Sequence, residues 1–461
     1  MKKPVPLQGA VTVPADKSIS HRSILFSACA NGESHVRASL MGRDNLASIR
    51  IMRQLGVRFE GEFNAQALAM AEEEGIAGFT ESGDALCRLR IFGEGFEGLR
   101  MPTAALDCGN SGTTARLLTG LLAGCEFSAT LTGDHSLVKR PFRRVTEPLS
   151  QMGASFSGDM LPLTMTGGAL KGIEYLSPKA SAQVKSAILL AGLRAQGAVS
   201  VSESVQSRDH TERMLTAMGC AVRGEETPNG RWLVSLPTEA ERLPLRPLDF
   251  EVPGDFSAAA FPLVAAAVTP GSEVEILGVG FNPTRIGLYH ILRRMGADIE
   301  AMNARVVGGE EVVDLRVRYS RLHGVEVTAD DVVLAIDEIP ILAVAAAFAD
   351  GETLIAGAEE LRVKESDRLA MTAQVLQSFG ATVSETPDGL RISGKPGLRA
   401  QAPSEKVAWR TSGDHRIAMS GAVLQYAACG SLNLSDQSAV ETSFPGFLQC
   451  FEALLPQSRV R

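Results

Sequence analysis

The sequence has few aromatic residues and no hydrophobic run long enough to cross a membrane. Phe, Trp and Tyr make up 5% of the 461 residues, whereas glycine occurs 45 times, which fits many turns and cores built from small side chains. The longest apolar runs, such as AAAFPLVAAAV at 258–268, are shorter than the roughly 18 residues that a membrane helix needs. The first residues, MKKPVPLQGAVTVPADK, are too short and too polar for a signal peptide. We therefore expect a soluble cytoplasmic protein that does not bind a membrane.

Cysteine is scarce and is not spaced for a metal or for a disulfide framework. The seven cysteines are scattered, and no two form a C-x-x-C pair. This pattern predicts free thiols in a reducing compartment and no zinc site. The chain also lacks an excess of positive charge, because 45 Lys and Arg stand against 53 Asp and Glu, for a net charge of -8. Nucleic acid is therefore not an expected partner, and an anionic ligand would need a local group of cations.

Two motifs that resemble nucleotide-binding loops lack the context that such loops need. GEGFEG at 93–98 matches G-x-G-x-x-G, but LRMPT follows it instead of a helix. The Lys-Ser pair of ADKS at 15–18 lacks the upstream glycines of a phosphate loop. The Asp-His pairs, at 134–135, 209–210 and 414–415, lack helical metal-ligand spacing. We expect no cofactor and no metal.

The most informative feature is a unit that occurs six times, with a period of about 75 residues. Each copy has a polar start, a helix of small apolar residues, a glycine and a short strand, as in NSGTTARLLTGLLAG followed by CEFSATLTG. The closing glycines are Gly32, Gly124, Gly197, Gly271, Gly351 and Gly430. With the helix and strands that follow, the pattern predicts an α/β fold whose six copies form two groups of three, divided near 245–256. Residues 60–105 are extra, and we expect a surface hairpin or loop there.

The stretch PADKSISHRSIL at 14–25 places two cations at the predicted start of the first helix. Lys17 and Arg22 are unfavourable there on their own, because a helix N-terminus already carries partial positive charge. An anion bound at that point would remove the conflict. The alternative is a surface lysine near a helix start.

A series of motifs runs in order along nearly the whole chain. They are PADKSISHR, GNSGTTARLL, KRPFRRVTEPL, SAQVKSAILLAG, SRDHTERML, PGDFSAAAF, NPTR, DEIPILAVAAAFA, ELRVKESDRL, GDHRIAM and TSFPGF. Together they closely resemble the 5-enolpyruvylshikimate-3-phosphate synthase family. The resemblance implies the enolpyruvyl transferase fold, an inside-out α/β barrel of two domains that each hold three copies of a βαβαββ unit. It implies one domain of residues 1–14 and 252–461, a second of residues 15–251, and an active site in the cleft between them.

The resemblance also implies a reaction in aromatic amino-acid biosynthesis. In this family the enolpyruvyl group of phosphoenolpyruvate moves to the 5-hydroxyl of shikimate 3-phosphate through a tetrahedral intermediate, and phosphate is released. Such a site needs cations for two phosphates and two carboxylates, together with an acid and a base. We expect a monomer with these two small molecules as its partners.

The family's functional residues map onto matching positions of this sequence. The implied catalytic residues are Lys17, Asp337 as the base and Glu365 as the proton donor. The implied ligands of shikimate 3-phosphate are Lys17, Ser18, Arg22, Ser181, Ala182, Gln183, Arg208, Asp337 and Lys364. The implied ligands of phosphoenolpyruvate are Lys17, Asn110, Gly112, Arg140, Gln183, Arg368 and Arg416.

Each assignment competes with an ordinary structural role. Asn110 and Gly112 could form a helix cap with a turn glycine, and Asp337 could be a cap as well. The possible structural ion pairs are Arg208 with Asp209 or Glu212, Glu365 with Arg368 on a helix surface, and Arg416 with Asp414. The neighbours of Arg140, which are Lys139, Arg143 and Arg144, fit a solvated face.

Three positions depart from part of the family, and two other functions remain open. Ala15 stands where glycine is common, Ala182 where serine is common, and Thr442 where one branch has a phosphoenolpyruvate-binding lysine, so sensitivity to glyphosate does not follow. One alternative is the sister enzyme that transfers enolpyruvate to UDP-N-acetylglucosamine, although no cysteine matches its loop. The other is a catalytically dead anion-binding paralogue, against which Lys17, Asp337 and Glu365 argue.

Overall fold

The computed structural model describes residues 4–399, 410–432, 434 and 436–456, and it divides into two compact units. Residues 15–252 with 307–309 form the central unit. The described residues of 4–14, 253–306 and 310–456 form the terminal unit. Each unit has a hydrophobic core of its own.

The described residues form both strands and helices along the whole chain. The strands are β1 (Gln8–Thr12), β2 (Asn31–Arg37), β3 (Arg58–Phe63), β4 (Thr80–Glu81), β5 (Arg88–Glu94), β6 (Leu106–Asp107), β7 (Ser128–Thr132), β8 (Ser155–Phe156), β9 (Leu163–Thr166), β10 (Lys171–Leu176), β11 (Gln196–Glu203), β12 (Arg223–Glu226), β13 (Trp232–Ser235), β14 (Asp249–Glu251), β15 (Glu273–Gly280), β16 (Asp298–Val307), β17 (Glu310–Arg318), β18 (Glu326–Val327), β19 (Gly351–Ile355), β20 (Thr382–Thr386) and β21 (Gly389–Gly394). The helices are α1 (Lys17–Ala28), α2 (Arg43–Gln54), α3 (Ala65–Glu73), α4 (Gly112–Ala123), α5 (Arg143–Met152), α6 (Ala182–Gly192), α7 (His210–Ala217), α8 (Phe256–Val268), α9 (Gly287–Arg294), α10 (Ala329–Ala335), α11 (Ile339–Phe348), α12 (Arg368–Ser378), α13 (His415–Cys429), α14 (Gln437–Val440) and α15 (Phe447–Ala453).

One strand order recurs in the sheets of both units. In the sheet β6-β7-β9-β8, β6 is parallel to β7, and β9 lies antiparallel between β7 and β8. The same order appears in β10-β11-β13-β12, in β18-β19-β21-β20 and in β1-β15-β17-β16. In the first three of these sheets one or two helices connect the two parallel strands, as parallel pairing requires. The predicted α/β fold built from repeated βαβαββ units is confirmed.

Two sheets obtain their first strand from a distant part of the sequence. The strand before α1 is β1, and it pairs in the terminal unit with β15, with Val11 opposite Ile276. The strand before α8 is β14, and it pairs in the central unit with β2, with Phe250 opposite Val36. At each crossing of the chain the strand therefore stays in the unit that the chain is leaving.

The residues inserted after α2 form more regular structure than a loop. They contain α3, and they contribute β4, which extends the sheet β14-β2-β5-β3 beyond β3. Phe63 and Phe79 stack with ring centroids 4.0 Å apart and anchor the segment. The expectation of a hairpin or loop was wrong for α3, because apolar residues at helical spacing in AQALAMAEE bury Ala67, Met70 and Ala71. GEGFEG spans the end of β5 and a single 3-10 turn, Phe96–Gly98.

Helices rich in small residues form the centre of each core. All residues of α8 and α11 are buried, which explains why their sequences lack a polar face. Helices α4 and α6 approach closely, because a Cβ atom on Gly120 would lie 2.3 Å from the Ala187 carbonyl oxygen. Among the described residues no helix is long and apolar enough to cross a membrane. All seven cysteines lie in the described part of the chain, and all but the partly exposed Cys450 are buried.

Gly120→Ala should destabilise the protein. Alanine favours a helix by about 1 kcal/mol over glycine, but its methyl group would collide with the backbone of α6, and overpacking costs about 1–3 kcal/mol or more. We expect a lower urea midpoint by circular dichroism. Gly158→Ala, where the added methyl group meets no atom within 4 Å, is the control. Equal midpoints for the two variants would contradict close packing of α4 on α6.

Candidate active site

The first helix begins with a lysine that a carboxylate from the next helix holds in place. Asp16 caps α1, since its Oδ1 accepts a hydrogen bond from the Ile19 N–H at 2.8 Å. Lys17 is the first helical residue, and its ammonium group pairs with the carboxylate of Asp44, in the first turn of α2. This pair offsets the repulsion between the lysine and the helix N-terminus. Asp44 was missed in the sequence, where it is indistinguishable from an acidic residue that favours the start of its own helix.

Arg22 is buried and joins three helices. Its guanidinium donates to the Ser18 carbonyl at 3.0 Å, to Thr211 Oγ1 at 2.8 Å and to Ser186 Oγ at 3.0 Å. These acceptors lie on α1, α7 and α6, so the arginine fixes the start of α1 against two neighbours. Its contact with shikimate 3-phosphate stays a prediction.

A chain of hydroxyl groups connects α1 to α4. The Nδ1 atom of buried His21 lies 2.9 Å from Ser48 Oγ, which lies 2.9 Å from Thr114 Oγ1. Burial, and after it the charges of Lys17 and Arg22, lower the pKa of His21 well below its usual value, so the ring is neutral near pH 7. This histidine therefore contributes hydrogen bonds rather than charge.

Asn110 does not cap α4. The cap is Ser111, whose Oγ accepts a hydrogen bond from the Thr114 N–H at 3.1 Å. The Asn110 amide instead donates to Asp134 Oδ2 at 2.6 Å and accepts from Arg140 Nη2 at 2.8 Å. The asparagine therefore orients Arg140, and the helix-cap alternative is wrong for this residue.

Two guanidinium groups meet above Gly112, the first residue of α4. A Cβ atom at this position would lie 2.8 Å from Arg116 Nη1 and 3.3 Å from Arg140 Nη1. Arg116 also donates to Gln183 Oε1 at 2.8 Å, and Gln183 donates to Thr113 Oγ1 at 3.0 Å. Two cations at a helix N-terminus favour an anion. We refer to Asn110, Gly112, Arg116, Arg140 and Gln183 as the α4 cluster.

Arg116 is a member of this cluster that was not among the residues predicted from the sequence. In the sequence GTTARLL, Arg116 cannot be told from an arginine on the exposed face of a helix. Its spacing of four residues from Gly112 places both on one helix face, and that spacing was the available signal.

Ser181 and Arg208 lie in segments that enter α6 and α7. The Ser181 N–H donates to Glu203 Oε1 at 2.9 Å, and Ala182 begins α6. Asp209 pairs with Arg213 at 2.9 Å, and Glu212 pairs with Lys185 at 2.7 Å. The two carboxylates considered as partners of Arg208 thus have other cations beside them.

In the terminal unit, Asp337 is surrounded by arginines. It lies in a 3-10 turn, Ile336–Glu338, just before α11. Its carboxylate oxygens lie 3.2 Å from Arg368 Nη1, 3.9 Å from Arg416 Nε and 4.0 Å from Arg285 Nη1. Three nearby cations favour the ionised carboxylate. The N-cap of α11 is Glu338, so capping of that helix is not the role of Asp337.

Arg368 is 2% exposed and pairs with three carboxylates. Its nitrogen atoms lie 2.6 Å from Glu365 and 2.8 Å from Asp414, in addition to the contact with Asp337. Burial alone would lower the pKa of Arg368, but Asp414, Glu365 and Asp337 raise it, so the group stays charged. The i,i+3 pair of Glu365 and Arg368 exists, but the arginine is buried and the pair is not a surface feature.

Arg416 contacts Asp337 as well. Its Nη1 donates to the Asp337 carbonyl oxygen at 3.1 Å, while its backbone N–H donates to Asp414 Oδ1 at 2.9 Å. We refer to Asp337, Glu365, Arg368, Asp414 and Arg416 as the terminal cluster. Lys364 follows a 3-10 turn, and its Nζ lies 3.6 Å from Glu360 Oε1.

The family model for EPSP synthase (3-phosphoshikimate 1-carboxyvinyltransferase) matches residues 1–89 and 86–451. The chain belongs to the EPSP synthase family. The 3-phosphoshikimate 1-carboxyvinyltransferase of Desulforamulus reducens is 46% identical over 446 residues, which cover 96% of this chain and 95% of the relative. The predicted enzyme class, enolpyruvyl transfer in the shikimate pathway, is confirmed at the level of the family.

Solved structures agree with this assignment. The EPSP synthase of Acinetobacter baumannii superposes with a TM-score of 0.79 at 41% identity and covers 99% of this chain and 97% of its own. The enolpyruvyl transferase NikO of Streptomyces tendae has a TM-score of 0.69 at 15% identity, with 98% and 96% covered. The second likeness shows the shared fold alone.

Asp414→Asn should lower stability in a pH-dependent way. Burial would raise the pKa of Asp414, but the charge of Arg368 holds it below its usual value. A carboxylate with a lowered folded-state pKa stabilises the fold above the unfolded pKa of about 3.9 and loses this effect as pH falls through the folded value. We expect a loss of about 3–5 kcal/mol at pH 7, the usual cost of breaking a buried ion pair.

Urea unfolding at pH 7 and at pH values below about 3.9 measures this dependence. The difference in the free energy of unfolding between Asp414→Asn and the wild-type protein should be smaller at the lower pH. Asp298→Asn removes an exposed carboxylate that lies 3.4 Å from Arg318 and should change little. A difference that is constant with pH would refute the role of the Asp414 charge.

Proposed function

We propose that this chain transfers the enolpyruvyl group of phosphoenolpyruvate to the 5-hydroxyl of shikimate 3-phosphate and releases phosphate. Its membership of the EPSP synthase family supports the reaction. The observation that carries the proposal is the meeting of Arg116 and Arg140 above Gly112, at the positive end of α4. That geometry suits a small dianion such as a phosphate group.

Phosphoenolpyruvate is the proposed ligand of the α4 cluster. Arg140, which Asn110 orients, binds its phosphate, and Gly112 leaves room for it. Gln183 and Lys17 also contact it. In the terminal unit, Arg368 and Arg416 bind its carboxylate, where planar guanidinium groups can form paired hydrogen bonds. These residues are the ligands of phosphoenolpyruvate predicted from the sequence, and we add Arg116 to them because it lies beside Gly112.

Shikimate 3-phosphate is the proposed ligand of the segments that begin α1, α6 and α7. The residues proposed to bind it are Lys17, Ser18, Arg22, Ser181, Ala182, Gln183, Arg208, Asp337 and Lys364. Arg208 and Arg22 supply charge for its phosphate, and Ser181 supplies a hydroxyl group. Lys364 and Asp337 contact the side of shikimate 3-phosphate that carries the 5-hydroxyl group.

The reaction needs one proton donor and one acceptor, and the terminal cluster has both kinds of carboxyl group. Glu365 protonates carbon 3 of phosphoenolpyruvate, and the 5-hydroxyl oxygen attacks carbon 2 while Asp337 accepts its proton. The Glu365 carboxylate then takes back a proton from the new methyl group as the phosphate leaves, which restores the double bond, and the proton held by Asp337 passes to the released phosphate. Lys17 and the arginines stabilise the negative charge on the departing phosphate.

We further propose that the enzyme acts as a cytoplasmic monomer.

Phosphate release in the presence of phosphoenolpyruvate tests this function. The enzyme should release phosphate with shikimate 3-phosphate and not with UDP-N-acetylglucosamine. Release with the sugar nucleotide alone would favour the sister enzyme, and release with neither acceptor would favour a catalytically dead paralogue.

Glu365→Gln should lower kcat by about 10²–10⁴-fold, because glutamine cannot donate the proton. Binding of shikimate 3-phosphate, measured by calorimetry, should change little. Glu385→Gln removes a carboxylate that contacts Arg362 at 3.1 Å outside the proposed site and serves as the control. Near-normal turnover by Glu365→Gln would refute its assignment as the acid.

Gly112→Ala should raise the KM for phosphoenolpyruvate about tenfold or more, because the methyl group would displace Arg116 and Arg140 from the proposed phosphate position. The KM for shikimate 3-phosphate should stay close to the wild-type value. Steady-state kinetics with each substrate varied in turn measures both constants, and Gly158→Ala is again the control. Equal changes in the two constants would contradict the placement.

A further inference from the structure

A buried lysine with two carboxylates lies in the central unit, within the first turns of α6 and α7. Lys185 has no exposed surface, and its Nζ lies 2.7 Å from Glu212 Oε1 and 3.1 Å from Glu203 Oε2. The same ammonium donates to the Ser207 carbonyl oxygen at 3.1 Å. Its three donors thus hold α7, the end of β11 and the segment between them.

Glu203 extends these contacts to two segments of the proposed site. One of its oxygens accepts the Ser181 N–H at 2.9 Å, immediately before α6. The Ser207 hydroxyl group donates to both oxygens of Glu203, at 2.8 Å and 2.7 Å, and the Ser207 N–H donates to Oε2 at 3.3 Å. Ser207 directly precedes Arg208. The carboxylate therefore sets the distance between the Ser181 segment and the Arg208 segment.

Stability alone does not account for a charged group at this position. Apolar side chains of similar volume often serve as well as a buried ion pair. The hydrogen bonds of Lys185 to Ser207, and of Glu203 to Ser181 and Ser207, however, fix the geometry of the segments that they join. The two carboxylates raise the pKa of Lys185 despite its burial, so the lysine stays charged and keeps all three donors.

We propose that Lys185 is a positioning residue for shikimate 3-phosphate, which it does not touch. Through Glu203 and Ser207 it holds the Ser181 and Arg208 segments at the separation that the substrate requires. The inference rests on the proposed function, which assigns both segments to this substrate. The binding of phosphoenolpyruvate depends mainly on the α4 cluster, whereas the contacts of Lys185 described above are with Glu203, Ser207 and Glu212.

Lys185→Met tests the proposal, since methionine removes the charge and keeps a long unbranched side chain. We expect the KM for shikimate 3-phosphate to rise about tenfold or more, with a smaller change in the KM for phosphoenolpyruvate. Calorimetric binding of shikimate 3-phosphate should weaken to the same extent. Glu203→Gln keeps one acceptor oxygen but loses the charge, and it should show the same selectivity with a smaller effect.

Arg242→Met is the matched control, because Arg242 is a buried cation at the other end of α6. Its guanidinium donates to the carbonyl oxygens of Gly192 and Ala195, at 3.0 and 2.7 Å. This variant should lose stability in thermal unfolding but keep the wild-type KM for shikimate 3-phosphate. A similar rise in KM for Arg242→Met would overturn the proposal, because any disturbance of α6 would then suffice.

The wild-type enzyme separates failure of this inference from failure of the proposed function. If it neither binds shikimate 3-phosphate nor releases phosphate with it, the function is wrong. If it does both, and Lys185→Met and Glu203→Gln keep its KM for that substrate, the positioning role is wrong. Loss of folding in both variants, with Arg242→Met folded, would identify a folding requirement and also overturn the proposal.

Discussion

Positive charge held at helix N-termini is the constraint on which the candidate site depends. A helix start repels a cation, and two guanidinium groups repel each other, so each cation needs a compensating group. Lys17 has Asp44, and Arg368 has three carboxylates. Where Arg116 and Arg140 meet above Gly112, the amide oxygens of Gln183 and Asn110 accept hydrogen bonds from them and orient them.

Close packing of helices is the second condition for this arrangement. Glycine and alanine on α4 and α6 let the two backbones approach, and this approach brings Gln183 within hydrogen-bond distance of Arg116. Arg22 links α1 to α6 and α7 through its hydrogen bonds to Ser186 and Thr211. The small residues that lower side-chain volume in the core therefore also determine which polar groups meet at the helix ends.

Acidic residues play different parts in the two units. In the central unit Glu203 and Asp44 contact Ser181 and Lys17, two residues predicted to bind substrate, and orient them. In the terminal unit Asp337 and Glu365 are themselves the proposed base and acid, and Arg368 contacts both of them. The guanidinium groups beside Asp337 favour the ionised carboxylate that a base needs. Asp414 has neither proposed chemical role, and it orients Arg368 from within the core.

The sequence by itself determined the repeated α/β unit, the fold family and the class of reaction. These follow from local signals, which are caps, glycines, hydrophobic periodicity and motifs of neighbouring residues. Only the tertiary structure decided that β1 and β14 pair in sheets away from the helices they precede, and that α3 replaces part of the expected loop. It also decided that Asp44 pairs with Lys17 and that Arg116 and Arg285 lie beside predicted site residues. Strand pairing and ion pairing join groups far apart in the chain, and a pattern of neighbouring residues carries no record of which distant group will lie opposite.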